Sequence, residues 1–162
     1  MTFFFISRTW LLLALIGLAI FDERQRRIPN RVLFVTTMLF LFAHPAFVLG
    51  VEGANPGVWW CDFFTRLLAA ALVLLFTGLI SFFRPQSLGM GDCKLMAVIM
   101  LYGGWPEAPV ILWLSFFFTA VRGIFVRVMT RSREHMTLAF APQVAIAAAL
   151  ELMLHLWLVL QG

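Results

Sequence analysis

Two of the eight acidic residues in the chain, Asp22 and Asp92, stand at the borders of long apolar runs. An ionisable group at the edge of a membrane is a functional candidate by default, because placing it there is costly. Two carboxylates brought together cannot both ionise easily, so such a pair holds one shared proton. The ionised member can then act as general base on a water while the protonated member polarises a peptide carbonyl. That is the chemistry of peptide hydrolysis by an aspartate pair. The two residues lie far apart in the chain, so helices must bring them together.

Their local contexts differ. Asp92 sits in Ser87-Leu88-Gly89-Met90-Gly91-Asp92-Cys93-Lys94-Leu95. Gly89 and Gly91 permit positive φ and a close backbone approach, so a substrate strand could lie against this turn. The plainer reading is a helix start with Asp92 as its cap. Asp22 ends the first apolar run, and Ile28-Pro29-Asn30 beyond it reads as a turn followed by a helix start capped by Asn30. Lys94 is either a partner for developing negative charge or an anchor at the membrane face. Glu23 and Glu134 are the remaining acidic groups expected on that side. Glu151 and His155 at i, i+4 read as a structural pair, and His44 and His135 as turn or surface residues. Cys61 and Cys93 fall in loops expected on opposite sides and should not pair. Without a CxxC or a Cys/His cluster, neither a metal nor any other cofactor is expected.

The elements that must position these residues follow from composition. Of the 162 residues, 62% are hydrophobic and 12% charged, and mean hydropathy is +0.95. A soluble domain carries about 25% charged residues, so lipid is the solvent here. In lipid every backbone polar group must be satisfied internally, and long unbroken apolar runs select helices over a barrel. Six segments can be marked, at Phe3–Phe21, Val32–Leu49, Phe63–Phe83, Leu95–Tyr102, Ala108–Val128 and Thr137–Leu160. The expected fold is all-α, a single polytopic membrane domain over residues 1–162 with six transmembrane helices in one bundle. The fourth segment is short for a span that needs about 20 residues. His44-Pro45 predicts a kink in the second.

Charge sets the expected topology. Ten of the twelve Lys and Arg residues lie in or beside alternate loops, with Arg8 and Arg66 outside that pattern. The positive-inside rule then places loops one, three and five in the cytoplasm and both termini outside. Asp22 and Asp92 fall on the cytoplasmic face. Arg8 and Arg66, near the outer helix ends, are expected to snorkel. Trp59, Trp60, Trp105 and Trp157 suit an aromatic belt at the outer boundary. Net charge is +4. No basic stripe interleaves with exposed aromatics, so nucleic acid is not an expected partner. The Arg-rich loops read as topology signals in contact with the lipid bilayer. The first run is read as a retained helix, since its charges follow the apolar stretch instead of preceding it.

Taken together, Asp22-Glu23-Arg24-Gln25-Arg26-Arg27-Ile28-Pro29-Asn30 and Gly89-Met90-Gly91-Asp92-Cys93-Lys94-Leu95, trailed by Gly103-Gly104, resemble the prepilin peptidases (type IV leader peptidases) of the GxGD group of membrane aspartyl proteases. A fainter match is Phe140-Ala141-Pro142-Gln143-Val144-Ala145, similar to a Pro-containing stretch in that family's last helix. The resemblance implies a six-helix bundle in the inner membrane. It also implies an aspartic endopeptidase that removes leader peptides from type IV prepilins or pseudopilins at the cytoplasmic face, alongside pilus or type II-like secretion machinery. By this resemblance Asp22 and Asp92 are the catalytic pair. Gly89, Gly91, Lys94, Glu23, Pro29 and Asn30 surround the substrate. Longer members carry an extra N-terminal cytoplasmic portion and also methylate the product. This chain looks like the short forms of tight-adherence (Flp-type) or archaeal-like systems, which leaves methyl transfer in doubt. Gln143 replaces a more usual apolar or aromatic residue.

Two other classes compete. A proton-coupled transporter would hold its carboxylates near the midplane and often show internal repeats. Here both carboxylates are expected at the edge, and no repeat is visible. A non-catalytic membrane subunit of a secretion machine would not need both carboxylates intact.

Overall fold

A computed structural model describes residues 2–25, 28–47, 56–83, 89–130 and 140–161. All regular structure among them is helical: α1 Thr2–Gln25, α2 Asn30–Phe47, α3 Pro56–Phe83, α4 Met90–Gly103, α5 Glu107–Thr130 and α6 Ala141–Gln161. The chain is therefore an all-α membrane protein, with six helices among the described residues. Three of them contain stretches long and apolar enough to cross a bilayer, at Trp60–Phe83, Glu107–Met129 and Ala141–Gln161. In α2 the stretch Asn30–Phe42 is apolar but shorter.

Hydroxyl chemistry in these helices fits a lipid solvent. Thr36, Thr37, Thr65, Thr77, Ser115 and Thr119 each donate to the carbonyl four residues earlier, at 2.6–2.8 Å. Where water is absent, a side-chain donor is satisfied within its own helix. The faces of α3 and α5 turned away from the bundle carry bare apolar side chains, among them Leu68, Leu75, Phe76, Phe82, Trp113, Ile124 and Phe125. Such an exterior belongs against acyl chains. Trp60, Trp105 and Trp157 are exposed, as a belt requires.

The core forms around α4. Its 14 residues rise about 21 Å, against about 30 Å of hydrocarbon. It packs chiefly on α3, with α2, α5 and α1 around it, and Leu95 and Ile99 are wholly buried. The shortness that troubles a span is thus met by enclosure. A second seam joins α1 to α6, where Leu11, Leu15 and Leu18 are buried on one side and Ala141, Val144, Ala147 and Ala148 on the other. Small residues let the two backbones approach.

Several boundaries move. Asp22 lies within α1, which continues to Gln25, and does not end the helix. The third helix starts at Pro56, where a proline suits the first turn, so Asp62 and the exposed Cys61 are helical instead of looped. Cys93 is buried in α4, and both cysteines are free. α2 runs through Pro45 to Phe47, and α6 begins at Ala141 rather than Thr137. Arg84, Glu134 and His135 lie outside the described residues.

The two exceptional arginines both find partners within the protein. Arg8 is 4% exposed and pairs with Glu151 of α6, while its Nη2 stands 3.5 Å from Glu107 of α5. Glu151 thus takes a partner on α1, beyond the His155 pairing its spacing suggests. Arg66 donates from Nε to Asp62 at 2.8 Å and from Nη1 to the Tyr102 carbonyl at 3.1 Å. It lies over Gly104, whose φ of 67° favours glycine, and a Cβ there would stand 2.6 Å from the guanidinium, which would have to shift.

Candidate active site

Three helices begin at one end of the bundle, and in each the carbonyl just before the helix accepts its first backbone hydrogen bonds. Pro29 O accepts from Val32 and Leu33 N–H, Gly89 O from Asp92 and Cys93 N–H, and Phe140 O from Gln143 and Val144 N–H. Helix N-termini favour negative charge. Both aspartates lie among these starts.

Asp22 is 5% exposed, and its Oδ2 accepts from the backbone N–H of Ala141 at 3.2 Å. Ala141 is the first residue of α6, so α1 supplies from outside the acceptor that this orphan donor needs. Asp92 sits in the first turn of α4 and reaches back to the Gly89 N–H, as the acidic member of a capping box does. Its pKa is pushed up to about 6, first by burial and then by the nearby Asp22 charge, with the Gly89 hydrogen bond opposing both. The carboxylates therefore sense one another across the α1–α4 contact. No Lys or Arg among the described residues forms an ion pair with either.

The glycines serve space, not unusual dihedrals. Gly89 is extended at φ −73°, ψ 143°, and Gly91 lies inside α4. A Cβ on Gly89 would stand 3.1 Å from Asp92 Oδ2, and one on Gly91 would stand 3.1 Å from Ile28 Cβ. The expected positive φ is absent. What the glycines admit is the Asp92 carboxylate in one case and the Ile-Pro-Asn turn in the other.

That turn meets α4 a second time. Lys94 Nζ donates to Asn30 Oδ1 at 3.0 Å. Asn30 is not a cap: Pro29 O already holds the first N–H groups of α2, so the Asn30 side chain is free to face Lys94. Glu23 turns the other way, toward Arg122 of α5 at 3.5 Å across an exposed surface. Its charge is thus already matched within the chain. From the Asn30–Lys94 pair an apolar cavity of about 460 Å³ runs between α2, α3 and α4, walled by Leu33, Phe34, Leu67, Ala70, Val98 and Leu101.

The structure thus brings Asp22, Asp92, Gly89, Gly91, Pro29, Asn30 and Lys94 to one end of the bundle and leaves Glu23 at its rim. Sequence reasoning missed Ala141, because a backbone donor has no residue type to betray it. The available signal was Pro142 at the head of an apolar run, a mark of a helix start. Gln143, unexplained by sequence, is buried in the same first turn of α6.

Comparison with known proteins carries the identification. The family model described as the type IV leader peptidase family matches residues 9–124, a stretch that includes Asp22 and Asp92. A Pseudomonas putida protein, "Prepilin leader peptidase/N-methyltransferase", is 27% identical over 145 residues, covering 86% of this chain and 45% of that protein. The chain spans a little under half the length of this curated relative. No solved structure matches. With the family match extending over most of its length, the chain belongs to the type IV leader peptidase family.

Proposed function

We propose that the protein is an aspartic endopeptidase that cleaves leader peptides from type IV prepilins or pseudopilins, with Asp22 and Asp92 as its catalytic pair. One observation carries the reading: the buried Asp22 carboxylate of α1 and the half-buried Asp92 carboxylate of α4 lie among the same helix starts, and Asp92 is displaced toward protonation first by burial and then by the Asp22 charge. Asp22, held by Ala141 N–H, is the ionised base that takes a proton from water. Asp92 carries the shared proton and donates to the scissile carbonyl. As water attacks, Asp22 gains a proton, the carbonyl oxygen becomes the tetrahedral alkoxide stabilised by Asp92, and collapse expels the leaving amine with a proton from the pair. The apolar cavity opening at Asn30 and Lys94 suits a substrate that is apolar beside the scissile bond.

The proposed topology is six crossings in the inner membrane, both termini outside, with the Asp22–Asp92 end facing the cytoplasm. Enclosure of α4 by its neighbours and alternation of basic loops support it. Pilus or secretion machinery is the proposed setting, of the tight-adherence type. The proposal covers cleavage alone; the name of the relative includes methyl transfer, and incubating cleaved product with a labelled methyl donor tests that second activity directly.

The deciding experiment is expression in a membrane with candidate prepilins, beside Asp22→Ala and Asp92→Ala at matched abundance. Wild type is expected to shorten the prepilin, and neither variant to do so. Intact leader on every prepilin tried with wild type would sink the reading. Cleavage by either variant would remove that aspartate from the pair.

A further inference from the structure

Lys94 is the cation nearest in sequence to Asp92, yet it donates to a neutral amide on another helix. Burial, Asp22 and the Gly89 N–H are the causes that displace Asp92 from ordinary carboxyl behaviour, and Lys94 is not among them. Its geometry suggests different work. Gly91 and Lys94 are three residues apart in α4 and so share a face. Ile28 lies on the first and Asn30 on the second. Between them Pro29 fixes its own φ and stiffens the turn. The turn therefore meets α4 at two levels: Ile28 lies so close over Gly91 that a Cβ there would stand 3.1 Å from its own Cβ, and Lys94 donates a hydrogen bond to Asn30 at 3.0 Å. Two contacts at different heights resist both sliding and rotation, which one cannot do.

This turn leads directly back to Asp22. Asp22 and Ile28 are joined by five residues, the first three of them in the last turn of α1. Where the turn is held on α4, the end of α1 is held near Asp92. We propose that Lys94 is a positioning residue: through Asn30 it latches the α1–α2 turn onto α4 and so sets the separation of Asp22 from Asp92. The proposal rests on the reading of these two aspartates as the catalytic pair. Lysine suits the role because its four-carbon stem reaches across to α2 and its ammonium rotates freely to meet a single acceptor. Among the described residues the charged group acting on Asp92 is Asp22 from α1; Lys94 of α4 is turned to Asn30 of α2, and α6 contributes the Ala141 N–H, by way of Asp22.

The test is steady-state cleavage by the purified full chain in detergent, with kcat, KM and the pH profile measured for each variant. Lys94→Met and Asn30→Leu are each expected to lower kcat by on the order of ten- to a hundredfold while KM moves by less than about threefold. The double variant is expected to be no worse than either single one, since both open the same latch. Lys94→Arg, and Asn30→Asp, which keeps the acceptor, are expected to retain most of the activity. The alkaline limb, set by proton loss from the pair, is expected at lower pH in Lys94→Met. Release from Asp22 and entry of water both favour ionised Asp92. A lysine acting directly on Asp92 gives the opposite sign, because deleting a nearby cation raises a carboxyl pKa. A limb displaced upward, additive losses in the double variant, or unchanged kcat in both single variants would each overturn the latch. Should Lys94→Met fail to fold, the Asn30→Leu and Asn30→Asp comparison decides alone. Asp92→Asn, measured alongside, separates the two failures: activity there removes the catalytic reading, whereas inactivity there with normal latch variants removes only the latch.

Discussion

The bundle buries carboxylates at both ends and treats them in opposite ways. At one end Glu151 and the partly exposed Glu107 share the guanidinium of Arg8, so α1, α5 and α6 meet around a matched charge. At the other, the Asp22 charge is felt at Asp92, and their partners among the described residues are the backbone N–H groups of Ala141 and Gly89. A cation beside a carboxylate favours the ionised form and ties up its lone pairs. Backbone donors hold a carboxylate in place without supplying a full positive charge, and Asp92 is displaced toward its protonated form. The difference separates an ionic joint from a pair of carboxylates with no ion-pair partner among the described residues, although both are made of the same side-chain chemistry.

The contrast breaks most visibly in activity. Asp22→Asn and Asp92→Asn are each expected to lower kcat/KM by at least on the order of 10²–10⁴-fold, with protein levels in the membrane unchanged. Cleavage assays on matched amounts of protein check this. A residual rate near wild type in either variant would put that end of the bundle in the same class as the Arg8 end.

Next in size is the loss expected at the other end. Arg8→Met leaves two carboxylates without their cation and is expected to cost about 3–5 kcal/mol of stability. Thermal unfolding in detergent reads it. Replacing both partners, as Arg8→Met with Glu151→Leu, is expected to recover most of the loss, because no buried charge then stands alone. If the double variant unfolds as readily as the single one, Arg8 contributes through something other than charge matching.

At the aspartate end the same kind of deletion is expected to stabilise. The folded pKa of Asp92, about 6, lies above its unfolded value of 3.8. The native state therefore binds more protons between these values, and stability falls as pH rises through that window. Above about pH 6 the ionised group costs roughly 2 kcal/mol, reduced from the full shift because the side chain is partly exposed. Asp92→Asn is expected to melt higher than wild type at pH 7.5, with the gap closing near pH 4. An equal gap at both pH values would mean that ionisation of Asp92 is not its source.

The smallest effect sharpens the role of Gly89. Gly89→Ala places a Cβ 3.1 Å from Asp92 Oδ2, so the carboxylate must shift by a few tenths of an ångström. Activity is expected to fall by on the order of tenfold with little change in melting temperature. Unchanged kcat would show that the carboxylate has room to move.

Much of this was legible in residue order. Apolar runs and loop charges predict six helices, and six stand among the described residues, though their ends shift by several residues where Pro56 opens α3 and Ala141-Pro142 opens α6 in stretches that hydropathy alone divides differently. The aspartates and glycines announce themselves by type. Their reasons do not: Gly89 and Gly91 suggest freedom of φ, whereas the structure uses their missing side chains. Arg8 and Glu151 could not be paired from sequence, because long-range pairing depends on the register of α1 against α6. Ala141 was invisible for a different cause, since its contribution is an atom that every residue but proline possesses.

The donor that meets Asp22 belongs to the main chain, so any residue but proline at position 141 supplies it. The Ala141 side chain answers to a separate demand, since it is wholly buried in the α1–α6 seam where small residues are needed. What descent must preserve there is the place where a helix begins.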